Sequence, residues 1–234
     1  MQRVKLTFVG VVALVGVLAL SGCQASPTLA ASIGGVSIQN ADVDATVATI
    51  EDDFAKANKQ LPPELHGDVR QRVMLATVFN EVARRYAKEK NIPVPAVDYN
   101  AAAQQFGLPA SDPYVRLNAD TQVLLSTLLA AAKPATPTEA DYHEAYDLYR
   151  AAAGEQASSY EEVQPEIAAL TEFNTALGLR QELVAAADRY GLVVNPRYSP
   201  LRAPVLQVQT SGGDALTLLT MPLGNQGTGA VRDL

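Results

Sequence analysis

Few side chains in this 234-residue chain could take part in bond chemistry, and one stands apart from the rest. Cys23 is the only cysteine. A lone thiol excludes an internal disulfide and a cysteine-based zinc site. Cys23 follows Leu20-Ser21-Gly22, at the end of an uncharged apolar run from Leu6 to Leu20 that Arg3 and Lys5 precede. That run is short for a membrane span and suits the apolar core of a signal peptide. Small side chains before the thiol fit a peptidase cleft, and the thiol can accept a diacylglycerol. The pattern reads as a bacterial lipobox with Cys23 as the lipidation site. Residues 1–22 are then a signal peptide and residues 23–29 a lipidated tether. Two or more acyl chains give stable attachment to a membrane, so the expected location is extracytoplasmic, on the cell membrane.

The remaining candidates for chemistry are sparse. The two histidines, His66 and His143, lie far apart, and neither is read as catalytic or as a metal ligand. Glu51, Asp52 and Asp53 crowd one predicted helix and read as a solvated face. The serines lack a G-x-S-x-G setting, and no phosphate-binding or dinucleotide fingerprint occurs. No catalytic residue, metal or cofactor is expected. Arg84, Arg85, Lys88 and Lys90 gather at a predicted helix C-terminus, where the helix dipole favours cations. The formal charge is −7, from 18 basic and 25 acidic residues, which disfavours nucleic acid as a partner. Tyr142, Tyr146 and Tyr149 recur along one predicted helix. Tyrosine is apolar with a polar tip, so the three are candidate peptide-binding residues, or else core.

These residues need elements to position them. Hydrophobic residues are 48% of the chain, aromatics only 6%, and tryptophan is absent. A core of Ala, Val and Leu suits packed helices. Gly34-Gly35 between two β-prone runs signals a hairpin. Asn40 is read as the N-cap of a helix carrying Val43, Val47, Ile50 and Phe54. A long helix spans Glu64 to Lys90, with Val69, Val73, Ala76, Phe79, Val82 and Tyr86 on one stripe. Ile92-Pro93-Val94-Pro95 is extended. A short helix runs from Ala96 to Phe106 and stops at Gly107. Ser111 or Asp112 can cap the next, with Pro113 in its first turn. Thr138 to Asp141 and Ser159 to Glu162 are capping boxes. The second opens the longest predicted helix, which ends near Tyr190. Leu192 to Asn195 reads as a strand, and Ser32–Ile38 is expected to meet it. Residues 200–234 are expected to be a flexible C-terminal tail.

The order of these pieces resembles the N-terminal chaperone module of SurA and PrsA-type foldases. The residues that carry the likeness are Ile33-Gly-Gly-Val36-Ser-Ile38 with Asn40-Ala-Asp42-Val43, and Phe79-Asn80-Glu81-Val82-Ala83-Arg84 through Ile92. Pro137 to Tyr146, Ser159-Tyr160-Glu161-Glu162-Val163-Gln164-Pro165-Glu166-Ile167 and Asn195-Pro196-Arg197-Tyr198 complete it. The resemblance covers residues 30–199. It implies a mainly α fold, a helical module with a small β-hairpin and a C-terminal strand closing its ends. It also implies a groove that binds unfolded polypeptide. Proteins of that type carry a parvulin isomerase domain between the segments that correspond to the Tyr142–Tyr149 helix and to the helix opened by Ser159-Tyr160-Glu161-Glu162-Val163. Here only Arg150 to Ser158 lie there, and a domain of roughly a hundred residues has no room.

The expected function is a lipid-anchored chaperone-like protein. Without ATP, it would bind unfolded or translocating envelope and secreted proteins. The alternative is a structural or adaptor lipoprotein holding one folded envelope partner. A residual prolyl isomerase is the third reading, and the missing insert argues against it.

Overall fold

The computed structural model describes residues 28–62, 69–210, 213 and 215–224. The expected signal peptide, Cys23, the greater part of the tether and His66 lie outside these residues. The fold is mainly α. Leu29–Ile33 (β1) and Val36–Gln39 (β2) form the first hairpin, followed by α1, Asn40–Lys56, and α2, Val69–Glu89. Then come α3, Tyr99–Phe106, α4, Pro113–Ala131, and α5, Glu139–Ala153. The chain continues through α6, Tyr160–Ala169, α7, Thr171–Arg189, and β3, Val193–Val194. Two longer strands end the described chain, β4, Leu201–Gln209, and β5, Ala215–Leu223.

The expected closure of the module is present. β1 is the centre of a three-stranded sheet, flanked by β2 and β3. Ala31 pairs with Val194 and Ser32 with Val193. Asn195 fastens the seam: its backbone N–H donates to the Ala30 carbonyl, and its side-chain amide to the Leu29 carbonyl, each at 2.8 Å. Leu29 therefore belongs to the sheet and not to the tether. Gly34 and Gly35 turn the hairpin at φ of 52° and 83°, conformations that only glycine adopts freely.

α2 runs through the core. Val73, Met74, Val78, Phe79, Val82 and Ala83 are buried on it, and it packs against α1, α4, α7 and β4. Thr138 and Ser159 both form full capping boxes, as their sequences require. Asp112 caps α4, with Pro113 in the first turn. Gly107 ends α3 in the left-handed conformation. α3 itself begins only at Tyr99, because Asp98 accepts from the N–H groups of Asn100 and Ala101 at 3.0 Å and caps it there.

Three expectations are corrected. First, Asn40 is not the N-cap of α1; Gln39 holds that position, without a side-chain cap. Asn40 is buried instead, and its Oδ1 accepts from the Tyr198 hydroxyl at 2.7 Å. A tertiary partner outcompetes the local cap. Second, the longest predicted helix is two helices. Leu170 adopts an extended conformation (φ −74°, ψ 107°), ending α6 and opening α7. The break turns Phe173 inward, where it is fully buried and stacks on Tyr142 at 5.6 Å between ring centroids.

Third, residues 201–223 are not a flexible tail. β4 and β5 pair along their length, with irregular register around Pro204 and Leu206. β5 packs against α5 and α7, and β4 against α2 and α7. Four consecutive β5 residues, Leu218 to Met221, are buried. Successive strand residues point to opposite faces, so β5 is covered on both sides. Residues 225–234 lie outside the described residues.

Candidate functional site

An apolar pocket of about 150 Å³ opens where α1, α2, α4 and β4 meet. Each element contributes for a local reason. α2 presents Val73, Ala76 and Phe79 at positions three apart, which places them on one helix face. Ile50 reaches in from α1, and Tyr114 and Leu117 from α4. Ala203 and Pro204 of β4 form the remaining wall. The small residues Ala76 and Ala203 leave the space that larger side chains would fill. An apolar cavity of this size holds about one benzene-sized group. It therefore suits one branched or aromatic side chain and not a large cofactor.

The polar groups around it are mostly committed. The Thr121 hydroxyl lies 2.9 Å from Asn80 Oδ1 and 2.7 Å from the Leu117 carbonyl. The buried Asn80 amide donates to that same carbonyl at 3.2 Å. Asn118 donates to the Tyr114 carbonyl at 2.8 Å. Arg72 is the one charged residue in the lining, and it is exposed.

The candidate peptide-binding tyrosines sit elsewhere. None of Tyr142, Tyr146 and Tyr149 lines the pocket. All three pack against the core. Tyr146 donates to the Ser158 carbonyl at 3.0 Å, and the Ser158 N–H donates to the Tyr149 hydroxyl at 3.1 Å. Together they clasp the connection from α5 to α6. Tyr160 closes the cluster. Its ring meets Tyr146 edge-on at 5.4 Å and stacks on His143 at 4.1 Å. Its hydroxyl donates to Glu139 at 2.6 Å. Burial, helped by Glu139, pushes that hydroxyl up to about 12, so it remains a donor at physiological pH.

A polar cleft of about 640 Å³ lies between α5, α7 and the β4–β5 hairpin. Its central Arg180 pairs with Asp141 at 2.5 Å and Glu144 at 2.6 Å, so its guanidinium is already neutralised. Lys56 pairs with Asp52 in the acidic run of α1, while Glu51 is exposed. His143 faces Glu139 across 3.7 Å on the surface of α5. Among the described residues no group of three His, Cys, Asp or Glu side chains could hold a metal, and no helix is long and apolar enough to cross a membrane.

Sequence periodicity marked Ile50, Val73, Ala76 and Phe79 as apolar helix positions. It did not reveal that they share a pocket, because the fourth wall comes from the last hairpin. The signal for that hairpin was present: two apolar runs flank Ser211-Gly212-Gly213-Asp214, a combination that reads as a hairpin turn. No family model, curated protein or solved structure matches the chain.

Proposed function

We propose that this chain is a lipid-anchored, extracytoplasmic holding protein for unfolded or translocating polypeptides. It works without ATP and without covalent chemistry. Cys23 supplies the membrane attachment, and the SurA-like order of elements supplies the fold-level precedent. The short α5–α6 connection, where relatives carry the parvulin domain, supports a holding role in place of isomerisation. The observation that carries the reading is the apolar pocket of about 150 Å³ open between α2 and α4. An extended chain can insert one apolar side chain there and leave its backbone in water. Each fully buried Leu- or Phe-sized side chain contributes about 1.5–3 kcal/mol. Such contacts are weak and exchange readily, as suits transient holding. Tethering near the membrane raises the effective concentration at the site where exported chains emerge.

Ala76→Leu tests this directly. Ala76 is half-buried and lines the pocket, so the larger side chain fills it at little cost to the fold. The native protein should suppress aggregation of a denatured client at near-stoichiometric ratio. The variant, with an unchanged circular dichroism spectrum, should lose most of that effect. Equal suppression by both, or none by either, would sink the proposal.

An adaptor role is the second reading, and one observation favours it. The pocket admits only about one side chain, and among the described residues the large exposed hydrophobics are only Val36, Val94 and Val193. That surface suits one defined partner segment better than a broad range of clients. A pull-down that returns one stoichiometric protein supports it; a spread of unfolded chains supports the holding role.

A further inference from the structure

The holding role leaves open which segments the pocket prefers, and the charges of α2 bear on that. This helix carries four arginines, Arg70, Arg72, Arg84 and Arg85. Three have a carboxylate partner: Arg70 pairs with Asp44, Arg84 with Asp120 at 2.5 Å, and Arg85 with Glu81 at 2.6 Å. Arg72 forms no ion pair among the described residues. Acidic residues outnumber basic ones in this chain, 25 to 18, so a surface arginine has many carboxylates to choose from. Of these four, the one without an ion pair among the described residues is the one in the pocket lining.

Its setting gives it a ligand chemistry. The neighbouring polar groups Asn80, Asn118 and Thr121 bond within the protein. Arg72, which has no carboxylate partner among the described residues, is the one cationic side chain in the pocket lining. Arginine's planar fork matches a carboxylate with two parallel hydrogen bonds.

We infer that the pocket selects polypeptide segments in which one branched or aromatic apolar side chain is flanked by a carboxylate, and that Arg72 sets this charge preference. The inference rests on the holding role proposed above. The apolar side chain enters between α2 and α4, and the neighbouring Asp or Glu meets Arg72 at the lip. The chain's formal charge of −7 works against acidic partners in general, so a preference for them has to come from a local cation.

Short Gly/Ser peptides with a single Phe flanked by Asp, by Ser or by Lys provide the probes, with a fourth in which Ala replaces the Phe. Binding is measured by fluorescence anisotropy on the full chain. The Asp-flanked peptide should bind about threefold more tightly than the Ser-flanked one. The Lys-flanked peptide should be weakest, and the difference should shrink at high salt. Arg72→Gln should remove the preference, so that the Asp-, Ser- and Lys-flanked peptides bind with similar affinity to one another. Arg72→Lys should restore part of it. Phe-dependent binding in which Lys-flanked peptides equal or exceed Asp-flanked ones, or a preference unchanged in Arg72→Gln, would overturn the charge inference and leave the holding role standing. Absence of any Phe-dependent binding would overturn both.

Discussion

At the head of α4, one carboxylate oxygen of Asp112 accepts from the Val115 N–H at 3.1 Å, while the other is buried without a hydrogen-bond partner among the described residues. Burial, reinforced by the nearby Asp53 carboxyl, raises its affinity for a proton above the ordinary aspartate value. A raised folded-state value stabilises the fold at low pH, and that contribution is lost as pH rises through it. At neutral pH Asp112 is therefore a cost, retained because it caps the helix. Asn caps as well as Asp without burying a charge. Asp112→Asn should raise the unfolding free energy at about pH 7 by roughly 1–2 kcal/mol. Urea titrations at several pH values should also show a smaller loss of stability from mildly acidic to neutral pH. A destabilised variant at neutral pH would contradict this. Asp141 behaves in the opposite sense. Burial pushes it up, but hydrogen bonds from Thr138 and the charge of Arg180 outweigh that and hold it below the ordinary value. Its stabilisation is present above the ordinary aspartate range and disappears as pH falls through the lowered value.

Among the elements, the β4–β5 hairpin departs most from what the sequence suggested. Leu201, Val205, Leu206, Leu218, Leu219, Met221 and Leu223 are all buried on it. At about 1.5–3 kcal/mol for each large apolar side chain, their combined burial matches or exceeds the roughly 5–15 kcal/mol net stability of an ordinary domain. A chain ending after Ser199 should therefore fail to fold cooperatively. A truncated protein with native circular dichroism and a sharp thermal transition would return the hairpin to the status of a dispensable tail.

The elements that could be read ahead of the structure are those whose information is local. Thr138, Ser159, Asp112 and Gly107 act within one turn of where they stand, and each was identifiable. The break at Leu170 has no glycine or proline to announce it. It follows from the burial of Phe173 against Tyr142. Likewise Asn40 has the chemistry of a cap, but Tyr198, distant in sequence, claims its oxygen. The pocket was the least legible feature, since its walls come from four separate elements. The tyrosines drew notice by their type and spacing, yet Ser158 occupies two of their hydroxyls.

For the whole molecule, the seam between β1 and β3 joins the two ends of the helical module, and the last hairpin packs against α2, α5 and α7 as a further layer. At Gly178 a Cβ would lie 2.0 Å from the Lys133 carbonyl oxygen, so the α4–α5 linker lies directly on α7 there. A module held at this many points can offer a preformed pocket at low entropic cost. The central claim is that unfolded chains enter this pocket beside the membrane. Photo-cross-linking in living cells tests it most directly, with the reactive residue placed at Asn118 on the pocket wall or at His143 on α5 as a control. Adducts with a range of exported polypeptides from position 118, lost in Ala76→Leu and absent from position 143, are the predicted result. Equal adducts from both positions, or none from 118, would contradict it.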